Sequence, residues 1–188
     1  MAKRKITNLS SVVMTEKIHL SARAIFLLSQ DGLLYHPLLK GPIKELIRQA
    51  SETTAYHATT HYRSKAVEFH LNECGVDLSS ASKYHKYCST NFSHEHVVPV
   101  EVVYRILIGE KAPAEVWIRD VLERFSIRAT ITKGENNKLL KDKMPEEFHI
   151  SGEPEFQNLL FQNPLARYMK ENFVPNLVKR DIDMDSWV

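Results

Sequence analysis

The sequence predicts an α+β protein that is mostly helical, with a small two-stranded β finger and a helix that carry the functional residues. Apolar residues recur at helical spacing over most of the chain, whereas Ser126 to Thr132 alternates apolar and polar residues as a half-buried strand does. A second short polar segment, Phe92 to His96, is followed by an apolar run that ends at Pro99. With 188 residues, 43% of them hydrophobic, the chain can bury one sizeable core, so we expect a single domain over residues 1–188.

Residues 1–80 are predicted to form a helical N-terminal scaffold. Each predicted helix carries apolar residues on one face and has a recognisable start or end in the sequence. Thr60 is the candidate cap of the last of them, and Gly75 is its candidate end. The predicted helices run from Ile18 to Leu28, from Pro42 onward, and from about Tyr62 to Glu73.

Residues 88–145 are predicted to form the functional core, with a helical insertion over residues 99–125. The insertion contains one helix from Val100 to Leu107 and a second from about Pro113 to Phe125. The strand over Ser126 to Thr132 follows, Gly134 is expected to break it, and Glu135 to Lys143 is predicted to be a short helix. Residues 146–188 are expected to add a last helix and an extended acidic tail.

The segment from Phe92 to Pro99 combines a carboxylate and two imidazoles at a predicted strand end. A Glu beside a His suits phosphodiester hydrolysis, in which a cation is held while an imidazole takes a proton from water. In a regular strand Glu95 and His96 face opposite sides, so both reach one metal only if the strand ends or bulges there. Pro99 favours an end. The structural alternative is a strand edge with solvated polar residues.

The order carboxylate, His, Val, Val, Pro resembles the first motif of HNH endonucleases of the His-Me finger superfamily. Three further segments resemble a group of small predicted HNH nucleases, and with the motif they cover about half of the chain. Two departures are visible: helices follow Pro99 where a second strand is usual, and no paired cysteines are available for a structural zinc. The three segments are Thr60 to Leu71, Ala129 to Pro145 and Asn163 to Tyr168.

This resemblance implies a role for each residue of the predicted site. Glu95 would be a metal ligand, His96 the general base, and Asn136 the second ligand, with Asn137 or Glu135 as substitutes. Hard oxygen ligands favour Mg²⁺ or Mn²⁺, whereas an imidazole from His94 would also tolerate Zn²⁺ or Ni²⁺. The activity implied is a metal-dependent endonuclease that leaves a 5′-phosphate.

Nucleic acid is the expected partner, with DNA ahead of RNA. The formal net charge of +2 does not identify a nucleic-acid-binding protein by itself, but Arg119 to Lys143 holds seven basic and four acidic residues. Arg167 is expected either to support the site or to bind phosphate. The candidate phosphate contacts are Arg63, Lys65, Arg128, Lys133 and Arg167.

The remaining expectations concern location and alternative functions. No secretory signal or membrane-spanning run is apparent, so a cytoplasmic protein without a membrane partner is expected; a homodimer is left open. The rival to an enzyme is a helical module that binds nucleic acid or protein and carries a degenerate HNH-like site. A structural zinc module formed by Cys88, His94 and His96 is a third interpretation, and it lacks a fourth ligand.

Overall fold

The chain forms an α+β structure that is mostly helical and contains a small mixed β-sheet. The computed structural model describes residues 9–51, 60–75, 81–139, 141–145, 148, 163–168 and 177–179. The helices are α1 (Leu9–Gln30), α2 (Lys40–Ser51), α3 (Lys65–Glu73), α4 (Ala81–Asn91), α5 (Val100–Gly109), α6 (Glu115–Phe125) and α7 (Lys133–Asn136). The strands are β1 (Tyr62–Ser64), β2 (Phe92–His96), β3 (Arg128–Thr132) and β4 (Leu177–Lys179).

The main hydrophobic core lies between α1, α2, α5 and α6. Each of these helices presents one apolar face, and the side chains that meet there are fully buried. Burying an aliphatic side chain of this size stabilises the fold by roughly 1.5–3 kcal/mol relative to leaving it exposed. Gly32, with φ of 68°, ends α1 in a left-handed conformation that glycine adopts without strain. Representative core residues are Ile25, Ile43, Leu107 and Leu122.

A carboxylate with three basic partners joins α2 to α5. Glu101 of α5 accepts hydrogen bonds from Lys44 Nζ at 2.8 Å and from Lys40 Nζ at 3.2 Å, and Arg105 Nε lies 3.2 Å away. Because its side chain is only 12% exposed, these contacts are less screened than surface ion pairs. They hold the pKa of Glu101 down at about 2, the Lys44 hydrogen bond being the largest cause.

The described strands of the sheet lie in the order β2, β3, β1, β4, and β2 is an edge strand among them. β2 and β3 are antiparallel, with His94 opposite Thr130 and His96 opposite Arg128. β1 is parallel to β3 and antiparallel to β4. The two strands of the predicted finger therefore pair directly, although α5 and α6 lie between them in the sequence.

The prediction of a two-stranded sheet was wrong, because β1 and β4 extend it to four strands among the described residues. Tyr62 to Ser64 was predicted to be the first turn of a helix but forms β1, and α3 begins only at Lys65. The cap of α3 is the Ser64 hydroxyl, which accepts from the Val67 amide at 3.2 Å, and not Thr60. Pairing with β3 and β4 accounts for this difference.

Two further boundaries differ from the prediction. Gly134 does not separate β3 from the next helix but lies inside it. That helix, α7, begins at Lys133 and ends at Asn136 instead of spanning Glu135 to Lys143. The described part of the C-terminal region contains the 3₁₀ turn Ala166–Tyr168 and strand β4, while the rest of the predicted last helix and tail lies outside the described residues. No helix within the described ranges is long and apolar enough to cross a membrane.

Candidate active site at the edge strand

The residues of β2 alternate between the two faces of the sheet. Ser93 and Glu95 lie opposite Ile131 and Ala129, on the face that packs against a small apolar cluster. His94 and His96 lie on the other face. The pairing with β3 is continuous through His96, and the Val97 amide extends it with a 2.8 Å bond to the Ile127 carbonyl, so the strand has no bulge between Glu95 and His96.

A capping box fixes α7 directly after β3. The Thr132 hydroxyl accepts from the Glu135 amide at 3.1 Å, and Glu135 Oε2 accepts from the Thr132 amide at 2.7 Å. The same carboxylate oxygen also accepts from the Ser64 hydroxyl of β1 at 2.7 Å. Glu135 is therefore held as a structural group at the junction of β1, β3 and α7.

This arrangement directs Asn136 toward the edge strand. Its Nδ2 donates to Ser93 Oγ at 3.2 Å, and Ser93 shares a face of β2 with Glu95. Asn137 is exposed at the end of α7. Of the three residues that the sequence left open as second ligand, Asn136 is the one whose side chain contacts β2 on the Glu95 face, through Ser93.

Arg167, from the C-terminal part of the chain, contacts the end of β2 around Glu95, His96 and Val97. Its Nη1 donates to the carbonyl oxygen of His96 at 3.0 Å and lies 3.4 Å from that of Val97, while Nη2 lies 4.0 Å from Glu95 Oε2. The side chain is 1% exposed. Of the two roles left open for Arg167, these contacts favour support of the site over binding of phosphate.

His96 is a largely buried imidazole surrounded by cations. Burial is the main reason why its pKa falls to about 3, and Arg128, Arg48 and Arg167 lower it further. The Ser51 hydroxyl donates its proton to the Arg48 carbonyl at 2.7 Å, so the 3.4 Å contact of Ser51 Oγ with His96 Nδ1 requires Nδ1 to carry the hydrogen. His96 is thus neutral near pH 7, with its lone pair on Nε2.

The structure does not bring His94 to Glu95 and Asn136. His94 Nδ1 contacts Thr130 Oγ1 at 3.0 Å, and Thr130 in turn contacts Thr60 Oγ1 at 2.7 Å on the opposite face of the sheet from Glu95. Within the described part of the chain, His, Cys, Asp and Glu side chains form no group of three or more that could hold a metal ion. Cys88 packs in an apolar cluster with Val67 and Phe92.

The other predicted phosphate contacts differ in their surroundings. Arg63 is buried and donates to Glu68 at 3.1 Å, so its guanidinium has a partner inside the protein. Lys65 is exposed in the first turn of α3. Lys133 is also exposed and donates to the Thr90 carbonyl at 2.6 Å, just before β2. Arg128 is partly buried beside His96.

Three residues of the site were not predicted from the sequence. Ser93 needed only the alternation rule, because it is two residues before Glu95 and therefore shares its face. Arg48 and Ser51 belong to α2, more than forty residues before His96, and no local pattern connects them to it. Comparison with family models, with curated proteins and with solved structures gives no match for this chain.

Proposed function

We propose that this chain is a metal-dependent endonuclease in which His96 is the general base and Glu95 and Asn136 hold a divalent cation. The observation that carries the proposal is the 3.2 Å bond between Asn136 and Ser93, because it sets α7 against the strand that bears Glu95 and His96. Strand β2, strand β3 and helix α7 would then be the parts of a ββα finger, with α5 and α6 inserted between its two strands.

The residues on the Glu95 side fit a hard cation better than zinc. A carboxylate, a side-chain amide and a hydroxyl are oxygen donors, and Mg²⁺ commonly uses one or two protein carboxylates together with waters and substrate phosphate. Zinc sites are built mainly from imidazole and thiolate ligands, and the nearest imidazole in sequence, that of His94, lies on the other face of the sheet. When bound, Mg²⁺ or Mn²⁺ would supply positive charge to stabilise the phosphate and the leaving oxygen.

His96 meets the first requirement of a general base, since it is neutral at pH 7 and its Nε2 carries the lone pair. Its pKa of about 3 makes the imidazole a weak base in the free protein. The negative charge of a phosphodiester nearby would offset the arginine charges and strengthen it. In the described sheet β2 is an edge strand. A nucleic-acid strand that lies along this edge would contact Glu95 on one side and His96 on the other.

The rival function is a nucleic-acid-binding module without catalysis. The observation that favours it is the continuous pairing of β2 through His96, which keeps Glu95 and His96 on opposite faces. Both functions require a basic surface near the edge strand, so binding alone does not separate them. Cleavage does.

The test is cleavage of plasmid DNA and of RNA by the parent protein and by His96→Ala, with Mg²⁺ or Mn²⁺. Loss of a general base lowers the rate about 10²- to 10⁴-fold. His19→Ala, which removes an exposed imidazole on α1, is the matched control and should cleave at the parent rate. Equal rates for His96→Ala and the parent would exclude His96 as the base. Nucleic-acid binding without cleavage in either metal would favour the rival.

A further inference from the structure

A small cavity lies between α1 and α2. Its volume is about 190 Å³, and it is lined by Lys17, Leu20 and Ser21 of α1 and by Leu46 and Gln49 of α2. That space is equivalent to roughly six water molecules at about 30 Å³ each. It is smaller than the roughly 300–1,000 Å³ of pockets for drug-sized ligands, so it suits a fragment such as a single planar ring system.

Ser21 is a buried polar residue whose hydroxyl lacks the usual partner. A serine within a helix commonly donates to a carbonyl of the preceding turn, and Ser29 and Ser51 do so at 2.6 Å and 2.7 Å. Ser21 is only 4% exposed, yet within the part of the chain that the structure describes it forms no such bond. Its hydroxyl therefore has a hydrogen bond to offer to a molecule in the cavity that it lines.

The rest of the cavity wall combines an amide with two leucines. Gln49 is exposed, and its side-chain amide forms no hydrogen bond to another described residue. Leu20 is 65% exposed although it is large and apolar, and Leu46 is half-buried. An occupant that covers both leucines removes apolar surface from water. No contact is assigned to Lys17, which has an interaction of its own.

We infer that this cavity binds an adenine base. A glutamine amide matches the edge of adenine, because its carbonyl accepts from the exocyclic amino group and its NH₂ donates to the neighbouring ring nitrogen. Guanine presents two acceptors at the same edge, so adenine is the purine that uses both atoms of the Gln49 amide. The Ser21 hydroxyl can bond to a further ring nitrogen, and the two leucines offer apolar contact for the faces of the ring.

This inference goes beyond the proposed function, since a nucleoside can occupy the cavity whether or not the chain cleaves nucleic acid. The test titrates isotope-labelled protein with adenosine in EDTA and follows the backbone amide signals of Ser21 and Gln49 by NMR. Adenosine has no phosphate, so charge does not contribute to its binding. For a ligand of this size we expect saturable shifts with a Kd on the order of 1 mM.

Inosine separates recognition by the Gln49 amide from simple filling of the cavity. It carries an oxygen in place of the exocyclic amino group, so the Gln49 carbonyl loses its donor. Inosine should therefore bind at least about fivefold more weakly than adenosine.

Two variants test the polar contacts directly. Gln49→Ala and Ser21→Ala should each weaken adenosine binding about three- to tenfold, because each removes one hydrogen-bonding group. Both should remain folded, since alanine is the strongest helix former, and thermal unfolding checks this. Gln30→Ala, at the exposed end of α1, is the matched control and should bind like the parent.

A single-stranded adenine oligonucleotide identifies the source of the base. Binding that is tighter than that of adenosine, and that Gln49→Ala weakens, would assign the cavity to a base of a nucleic-acid strand. Equal affinity per base would assign it to the free nucleoside. Both results support an adenine site.

Three results would overturn the inference. They are the absence of saturable shifts at adenosine concentrations about tenfold above the expected Kd, inosine that binds as tightly as adenosine, and parent affinity in both folded variants. Because the titration contains no metal, cleavage assays with Mg²⁺ bear only on the proposed function. Either the adenine site or the proposed function can therefore fail alone.

Discussion

At the residue scale, the edge strand separates two kinds of chemistry by simple alternation. Ser93 and Glu95 offer oxygen atoms on one face, near Asn136, while His96 on the other face is neutral and lies among guanidinium groups. Successive side chains of a strand always point to opposite faces. Two residues that are adjacent in the sequence, such as Glu95 and His96, can therefore have entirely different electrostatic environments.

The proposed division of roles predicts which variants lose the metal. Glu95→Ala and Asn136→Ala should each weaken Mn²⁺ binding by about tenfold or more, because each removes one oxygen donor from a small set. Asn137→Ala removes the same kind of side chain one residue further on, at an exposed position, and should bind Mn²⁺ like the parent. Isothermal titration calorimetry measures the Mn²⁺ affinity of the three variants and of the parent.

One result of that titration would contradict the proposed metal site. If Mn²⁺ binding survives Glu95→Ala and Asn136→Ala but is lost in His94→Ala, the cation lies on the imidazole face, and Glu95 has no part in holding it. That result would also favour a softer metal, since an imidazole nitrogen would then be the main protein ligand.

At the scale of secondary-structure elements, the β3–α7 junction holds the candidate site together. Glu135 closes the capping box with Thr132 and also binds Ser64, so a single carboxylate connects β1, β3 and α7. The sequence carries this signal openly, because Thr132 and Glu135 have the Ser/Thr-x-x-Glu spacing of a capping box. The prediction of a helix over Glu135 to Lys143 did not use that spacing, which indicates a helix starting at Lys133 and explains why Gly134 lies inside α7.

Removing the carboxylate should loosen this junction. Glu135→Ala leaves the Thr132 amide and the Ser64 hydroxyl without their acceptor, and we expect the free energy of unfolding to fall by roughly 1–3 kcal/mol. Glu123→Ala, at an exposed position of α6, should change it by less than about 0.5 kcal/mol. Urea unfolding followed by circular dichroism measures both. A Glu135→Ala protein as stable as the control would mean that the cap contributes little.

At the scale of the whole molecule, the parts formed by local interactions could be predicted from the sequence, and the parts formed by contacts between distant segments could not. α5 and α6 were predicted because their apolar periodicity is local, and the helical insertion between β2 and β3 followed from them. β1 and β4 have three residues each and exist through pairing with distant segments, which a local pattern does not encode. The same holds for Arg48 and Ser51, which reach the site only through packing of α2.

The Glu101 cluster, which joins α2 to α5, predicts how stability depends on pH. The pKa of Glu101 is lowered to about 2 in the folded protein, chiefly by Lys44 and then by Lys40, from an ordinary value near 4.5. A carboxylate whose pKa is lowered by folding stabilises the native state fully above its unfolded pKa. That stabilisation is lost as the pH falls from about 4.5 toward 2, where the folded form also becomes protonated.

Glu101→Gln should therefore be less stable than the parent at pH 7, and the difference should shrink steadily below pH 4.5 and nearly vanish at about pH 2. Urea unfolding at a series of pH values measures it. Glu110→Gln, an exposed carboxylate at the end of the same helix, is the control for a general change in charge. A constant difference between Glu101→Gln and the parent over this range would show that Glu101 contributes through packing, because only the charged form of the carboxylate binds Lys40 and Lys44 strongly.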